Sequence, residues 1–367
     1  MMNISDNQKK NAAGALSVSE LRALYKRYGY FKYKMSKFEE YDLYVRNKSF
    51  LISDNIITFT DTDGKLMALK PDVTLSIVKN SRDGGELQKV YYDESVYRIS
   101  NHAYKEIRQI GLECMGDIDV YVIYETLMLA IKSLEAISDD FVLDVSHMGI
   151  VSDIMDALSV SDEGREKLLS CIGEKNTHGI REICTEEGID EEKSKILCAL
   201  STTYGEADKV ADKLSAIIES DKLTELKNIL SMLGDKRVRI DFSVVNDMSY
   251  YNGIVFKGFV NGVPASVLSG GQYDKLMEKM GKKGGAIGFA VYPDLLEELY
   301  SAPNKYDIDA VLLYGKDTDL CQLKHTVEKL TAEGLSVSVQ KSLPEKIRYK
   351  KLLKIVEGEV KTLEDNA

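Results

Sequence analysis

The 367-residue chain reads as an α+β protein, an antiparallel sheet flanked by helices that carries a helical insertion and ends in a short α/β segment. Three observations predict this. Alternation of apolar and polar residues recurs in ITFTDTDGKLMALKP, VYRIS, IRQIGLECMG and RVRIDFSV. Between residues 150 and 236 it gives way to apolar residues three and four apart. After SAPNKY, strand and helix patterns alternate over residues 304–367.

Residues 1–16 are polar and read as a loose tail. SVSELRALYKRYGY then predicts a helix capped by Ser17 or Ser19. The turn TDTDG predicts a hairpin, and YVIYETLMLAIKSLEAI, from Tyr121 to Ile137, an amphipathic helix before the strand FVLDVS. Within the insertion, Leu214, Ile217 and Ile218, then Leu226, Ile229, Leu230 and Leu233, fall at helical spacing. Asn-Gly in GIVFKGFVNGVPASVLSGG joins two strands. The last segment reads as strand DAVLLY, helix DLCQLKHTVEKLTAEG, strand LSVSVQ and a basic helix ending near Leu353. The expected domains are a core of residues 17–149 and 237–303, an insertion of 150–236, and a small α/β domain of 304–367.

Composition narrows the function. A hydrophobic fraction of 44% suits a folded protein, not a disordered one. With 48 basic against 59 acidic side chains, a formal charge of -11 provides no global field for gripping phosphates. Five cysteines, odd in number and without a C-x-x-C, indicate neither a disulfide framework nor a zinc knuckle. His102, His147, His178 and His325 are scattered, so no metal is expected. No run of 18 apolar residues and no hydrophobic leader occur, so a cytoplasmic location is expected.

Four segments could carry chemistry. In IRQIGLECMG, side chains alternate across the strand, so Ile110, Leu112 and Cys114 share one face while Gln109, Gly111 and Glu113 share the other. Gly111 would leave room for a small ligand between an amide and a carboxylate; a solvent-facing polar edge fits the same pattern. In LKPDVT, Asp72 and Thr74 could meet an ammonium group or cap the following helix. In SYYNGIVF, Tyr250 and Tyr251 would point to opposite faces at the start of a strand, one packing and one presenting its hydroxyl, unless both are core. SGGQYDKL and GGAIGFAV carry glycines but lack the Lys-Ser or Lys-Thr of a phosphate loop.

In this order around a helical insertion, the four segments resemble the histidyl-tRNA synthetase-like class II fold over about Ser17 to Tyr300. The resemblance implies that Asp72, Thr74 and Gln109 hold the α-amino group of histidine, Glu113 and Tyr251 grip the imidazole, and Tyr250 and Tyr273 line the pocket. Arg98 in YRIS is the remaining candidate for the carboxylate. The resemblance also exposes departures. The position of the histidine-specific catalytic arginine reads Asn246, that of the motif 3 arginine reads Leu295, and the motif 1 proline reads Ser36. The loop SNHAYKEI is short and lacks the acid and second arginine that position ATP.

Guanidinium forks match the oxyanions of a nucleotide, and each preorganised donor contributes about 3 kcal/mol to such a transition state. Aminoacylation is therefore not expected. The C-terminal segment balances 11 basic against 11 acidic residues, so it reads as a truncated remnant of an anticodon-binding domain without a basic RNA surface.

A histidine pocket on a frame stripped for ATP chemistry resembles the regulatory subunits of ATP phosphoribosyltransferase, as does LDVSHMGI at the start of the insertion. This resemblance implies a non-catalytic chain in histidine biosynthesis, binding histidine. It would activate a short-form catalytic subunit and mediate histidine feedback, as a homodimer within a hetero-oligomer. No catalytic residue, metal, cofactor, nucleic acid or membrane is implied. An active histidyl-tRNA synthetase, or a class II-like protein binding another amino acid, are the alternatives.

Overall fold

Alternating apolar residues give the long central strands one greasy face, and helices cover it. The computed structural model describes residues 18–51, 56–82, 85–100, 103–244, 250–300, 305–344, 346–356 and 359–366. The chain divides into two compact units, Met1–Tyr300 and Ser301–Ala367.

In the first unit, residues 18–27 form α1, followed by β1 (Phe31–Lys32). Strands β2 (Phe38–Glu40), β3 (Thr58–Thr60) and β4 (Leu66–Leu69) make a small antiparallel sheet, with α2 (Tyr41–Arg46) after its first strand. Next, α3 (Thr74–Asn80) leads to the long strands β5 (Gln88–Ser100) and β6 (Ala103–Gly116), and α4 (Val120–Glu135) to β7 (Phe141–His147). The helical stretch contains α5 (Met148–Ala157), α6 (Asp162–Gly173), α7 (Thr177–Glu186), α8 (Glu191–Thr202), the two-residue β8 (Gly205–Glu206), α9 (Ala207–Ser215) and α10 (Asp221–Leu233). Strands β9 (Val238–Ile240), β10 (Ile254–Val260) and β11 (Leu268–Gln272) follow, then α11 (Asp274–Lys279), β12 (Gly285–Val291) and α12 (Pro293–Tyr300).

Nine strands form one sheet in the order β1-β5-β6-β12-β11-β10-β7-β9-β8. From β5 to β7 every pair is antiparallel, as expected. The sheet as a whole is mixed, because β1 joins β5 and β9 joins β7 in parallel. Strand β9 returns through six helices, the kind of long crossover that a parallel pair needs.

Ile110, Leu112 and Cys114 of β6 meet Leu127, Ala130 and Leu134 of α4 in one hydrophobic core. That cluster continues into Leu214 of α9 and Leu226, Ile229 and Leu230 of α10, so the helical stretch and the sheet share a core. Asp119 starts α4 by accepting the Val122 N–H at 2.8 Å, and Ser220 starts α10. Two details differ from the helical patterns. Ser19 lies inside α1 and is not its cap, and the alternative cap, Ser17, lies outside the described residues. Helix α9 stops at Ser215, which leaves Ile217 exposed beyond its end.

The second unit holds β13 (Ile308–Leu313), α13 (Leu320–Ala332), β14 (Val337–Gln340), β15 (Tyr349–Val356) and β16 (Glu359–Asp365). Its sheet runs β14-β13-β15-β16. The predicted basic helix ending near Leu353 is strand β15. Parallel to β13 and antiparallel to β16, it gains backbone partners on both sides while burying Leu352, Leu353 and Ile355. These long-range bonds override the helical preference of its Lys and Leu residues.

Candidate amino-acid site

The open face of the large sheet floors a cavity of about 800 Å³. Gln109 and Glu113 of β6 point into it, while Ile110, Leu112 and Cys114 point to the core, as the strand period requires. All eight residues named from the resemblance line this one cavity: Asp72, Thr74, Arg98, Gln109, Glu113, Tyr250, Tyr251 and Tyr273. They come from α3 and its entry, β5, β6, and the loops before β10 and α11.

Glu113 is the buried centre. Its Oε1 accepts from the Thr74 hydroxyl at 3.0 Å and its Oε2 from the Tyr273 hydroxyl at 2.5 Å. Burial raises its carboxyl to about 8; the two hydrogen bonds favour the ionised form and nearby Asp72 opposes it. Asp72 is also buried and shifted upward for the same main reason, while its Oδ1 accepts the Leu75 N–H at 2.9 Å. Asp72 thus helps start α3, as the capping reading of LKPDVT expects, and lines the cavity at once. Thr74, expected at the α-amino end, donates to Glu113, expected at the imidazole.

Burial and neighbouring carboxylates hold the Tyr250 and Tyr273 phenols well above the ordinary tyrosine range, so both keep their protons. The Tyr250 ring contacts those of Tyr251, Tyr273 and Phe50 at centroid distances of 4.6, 5.9 and 6.0 Å. This corrects the expectation that Tyr250 and Tyr251 face opposite ways. Strand β10 begins only at Ile254, so strand alternation does not apply to them.

Gly111 leaves no room for a ligand. A Cβ there would lie 2.6 Å from the Tyr92 hydroxyl and collide with the Phe289 carbonyl. The space belongs to Tyr92, a lining residue that shares strand parity with Arg98. At Gly288 of β12 a Cβ would collide with Glu113 Oε2, so the glycine admits the carboxyl to the floor.

Arg98 donates from Nε to the Pro71 carbonyl at 3.0 Å, and one terminal nitrogen is buried without a hydrogen-bond partner among the described residues. Leu295, where an arginine was expected by resemblance, also lines the cavity. Asn246 lies outside the described residues. Lining residues that the motifs did not mark include Phe50, Tyr92, Lys257 and Tyr292. A lysine inside the apolar run GIVFKGFV was a readable signal for the third of them.

The histidyl-tRNA synthetase family model matches residues 7–296. An ATP phosphoribosyltransferase regulatory subunit from Caldanaerobacter subterraneus subsp. tengcongensis is 30% identical over 289 residues, 74% of each chain. Among solved structures, an ATP phosphoribosyltransferase regulatory subunit/histidyl-tRNA synthetase from Bacillus halodurans aligns with a TM-score of 0.70 at 23% identity, covering 90% of this chain and 89% of that one. A chain of the ATP phosphoribosyl transferase (HisG:HisZ) complex from Thermotoga maritima aligns at 0.61 and 19% identity, covering 75% and 96%. The two structures share the fold. This chain belongs to the histidyl-tRNA synthetase family and, within it, to the ATP phosphoribosyltransferase regulatory subunits.

Proposed function

We propose that this regulatory subunit assembles with a short-form catalytic ATP phosphoribosyltransferase, activates it, and conveys feedback by histidine bound in the cavity. The observation that carries the reading is Glu113, buried on the cavity floor between the Thr74 and Tyr273 hydroxyls. A neutral imidazole has one N–H donor and one nitrogen acceptor. A carboxyl oxygen and a phenol can satisfy both, and the aromatic wall of Tyr250, Tyr251 and Tyr273 suits the ring. Asp72 and Gln109 complement the ammonium, and the unpartnered nitrogen of Arg98 suits an anion.

Chemistry belongs to the catalytic partner in this reading. Arg98 is the one arginine lining the cavity among the described residues, which supports binding without nucleotide activation. Feedback requires histidine to bind two states of the complex unequally, and coupling of about 1–3 kcal/mol is typical. Within the hetero-oligomer this chain would pair with itself. The exposed rings of Phe38 and Phe59, 5.2 Å apart, with exposed Leu66 on the same small sheet, support an apolar contact face.

The test mixes the chain with a short-form catalytic subunit and follows product formation with and without histidine. Stimulation by the chain, reversed by histidine, is expected. No stimulation by a cognate catalytic subunit would sink the proposal. Histidine-dependent ATP–pyrophosphate exchange by the chain alone would place it with active synthetases instead.

A further inference from the structure

Lys257 lines the cavity from β10 without a counterion among the described residues. It makes no hydrogen bond or ion pair with any described residue, although Asp144 lies directly across the β7–β10 pair. Burial pushes its ammonium below the ordinary lysine range, with no acid acting against the shift. Arg98 differs. Its Nε bonds the Pro71 carbonyl and its charge stabilises buried Asp72, so the nitrogen without a partner among the described residues is held on the side of the acids.

Sheet register fixes where Lys257 stands relative to Glu113. Lys257 lies opposite Ser269, Ser269 opposite Ala290, and Ala290 opposite Gly111, two residues along β6 from Glu113. Three strand spacings separate β6 from β10, roughly 14 Å. Two long side chains with one amino acid between them can fill that distance. The Ser269 and Tyr292 hydroxyls, 2.8 Å apart, lie beside Lys257 and add neutral hydrogen-bonding groups at the same end. The carboxyls of Asp72 and Glu113 therefore stand at one end of the cavity, with Arg98 beside them, and the Lys257 ammonium with hydroxyls at the β10 end. An α-amino acid has this polarity.

We infer that Lys257 binds the α-carboxylate of the amino acid held over Glu113, with Ser269 and Tyr292 completing the anion subsite. This rests on the amino-acid reading above and assigns it one further specificity residue. The carboxylate removes the cost of holding a half-buried ammonium alone, so Lys257 selects amino acids over their decarboxylated or reduced relatives.

Titration calorimetry on the full-length chain tests it with L-histidine, L-histidinol and histamine, the last two lacking a carboxylate. The wild type should favour histidine roughly tenfold to a hundredfold, the range of a hydrogen bond to a charged group. Lys257→Met should bring the ratio near one by weakening histidine, whereas Lys257→Arg should retain most of the preference. Matched melting temperatures would exclude a folding defect. A preference that survives Lys257→Met overturns the inference and moves the carboxylate elsewhere, to Arg98 first. Equal wild-type affinities for all three ligands overturn it as well. If the wild type binds none of them, the amino-acid reading itself fails, and this inference with it.

Discussion

The Tyr273 hydroxyl meets Glu113 Oε2 at 2.5 Å across 160 residues of sequence. Together with Thr74 it holds a fully buried carboxyl at one point on the cavity floor. Glu113→Ala should weaken histidine binding by about 1–3 kcal/mol, because an imidazole donor would lose its buried partner. Tyr273→Phe, which removes one supporting bond, should weaken it by about 1 kcal/mol. Calorimetry that finds unchanged affinity in Glu113→Ala would disprove this placement of the imidazole.

Stability should depend on pH through the same carboxyl. Burial raises Glu113 from 4.5 to about 8, so between these values the folded chain holds a proton that the unfolded chain has released. Its contribution is present below pH 4.5 and is lost as pH rises to about 8. Asp144, raised to about 6 by burial and by nearby Asp241, acts in the same direction over a lower window. The melting temperature of ligand-free protein should therefore fall more steeply from pH 5 to 8 in the wild type than in Glu113→Gln. Parallel curves in scanning calorimetry would contradict the assignment.

Gly288→Ala tests the floor from the neighbouring strand. Its Cβ would collide with Glu113 Oε2 and the Leu112 carbonyl, so the carboxyl must move. We expect about 1–3 kcal/mol of destabilisation in urea titrations, the usual cost of overpacking, together with loss of ligand binding. Wild-type affinity in this variant would mean that the ligand does not contact Glu113.

Lys70, next to Pro71 and Asp72, is completely buried, and its ammonium meets Glu94 Oε2 at 3.1 Å. Its backbone carbonyl accepts the Tyr97 N–H at 2.8 Å, which ties the LKPD segment to β5 one residue before Arg98. Glu94→Ala leaves a buried charge alone and should cost about 3–5 kcal/mol, whereas Lys70→Met with Glu94→Leu should cost far less. Equal losses would show that the pair acts through something other than buried charge.

Several features were readable from local pattern. Alternation along IRQIGLECMG sorted Gln109 and Glu113 from the core residues, and the Asn-Gly at 261–262 marked the β10–β11 hairpin. Local pattern failed where another segment decides. Room beside Gly111 looked available because nothing in β6 shows that Tyr92, on the adjacent strand, fills it. The stretch ending near Leu353 looked helical until β13 and β16 offered backbone partners on both sides.

By itself, the sequence determined the α+β class and the two faces of β6, and its motif order carried the family resemblance that named the residues lining one cavity. These depend on strand and helix periods and on motif order, both local or linear properties of a chain. Only the tertiary structure decided that Thr74 and Tyr273 meet at Glu113, that Tyr250 and Tyr251 share a wall, and that Lys257 stands across the cavity from the acids without a partner among the described residues. Register between strands distant in sequence, and burial, which sets the charge each group can hold, arise only when the sheet closes.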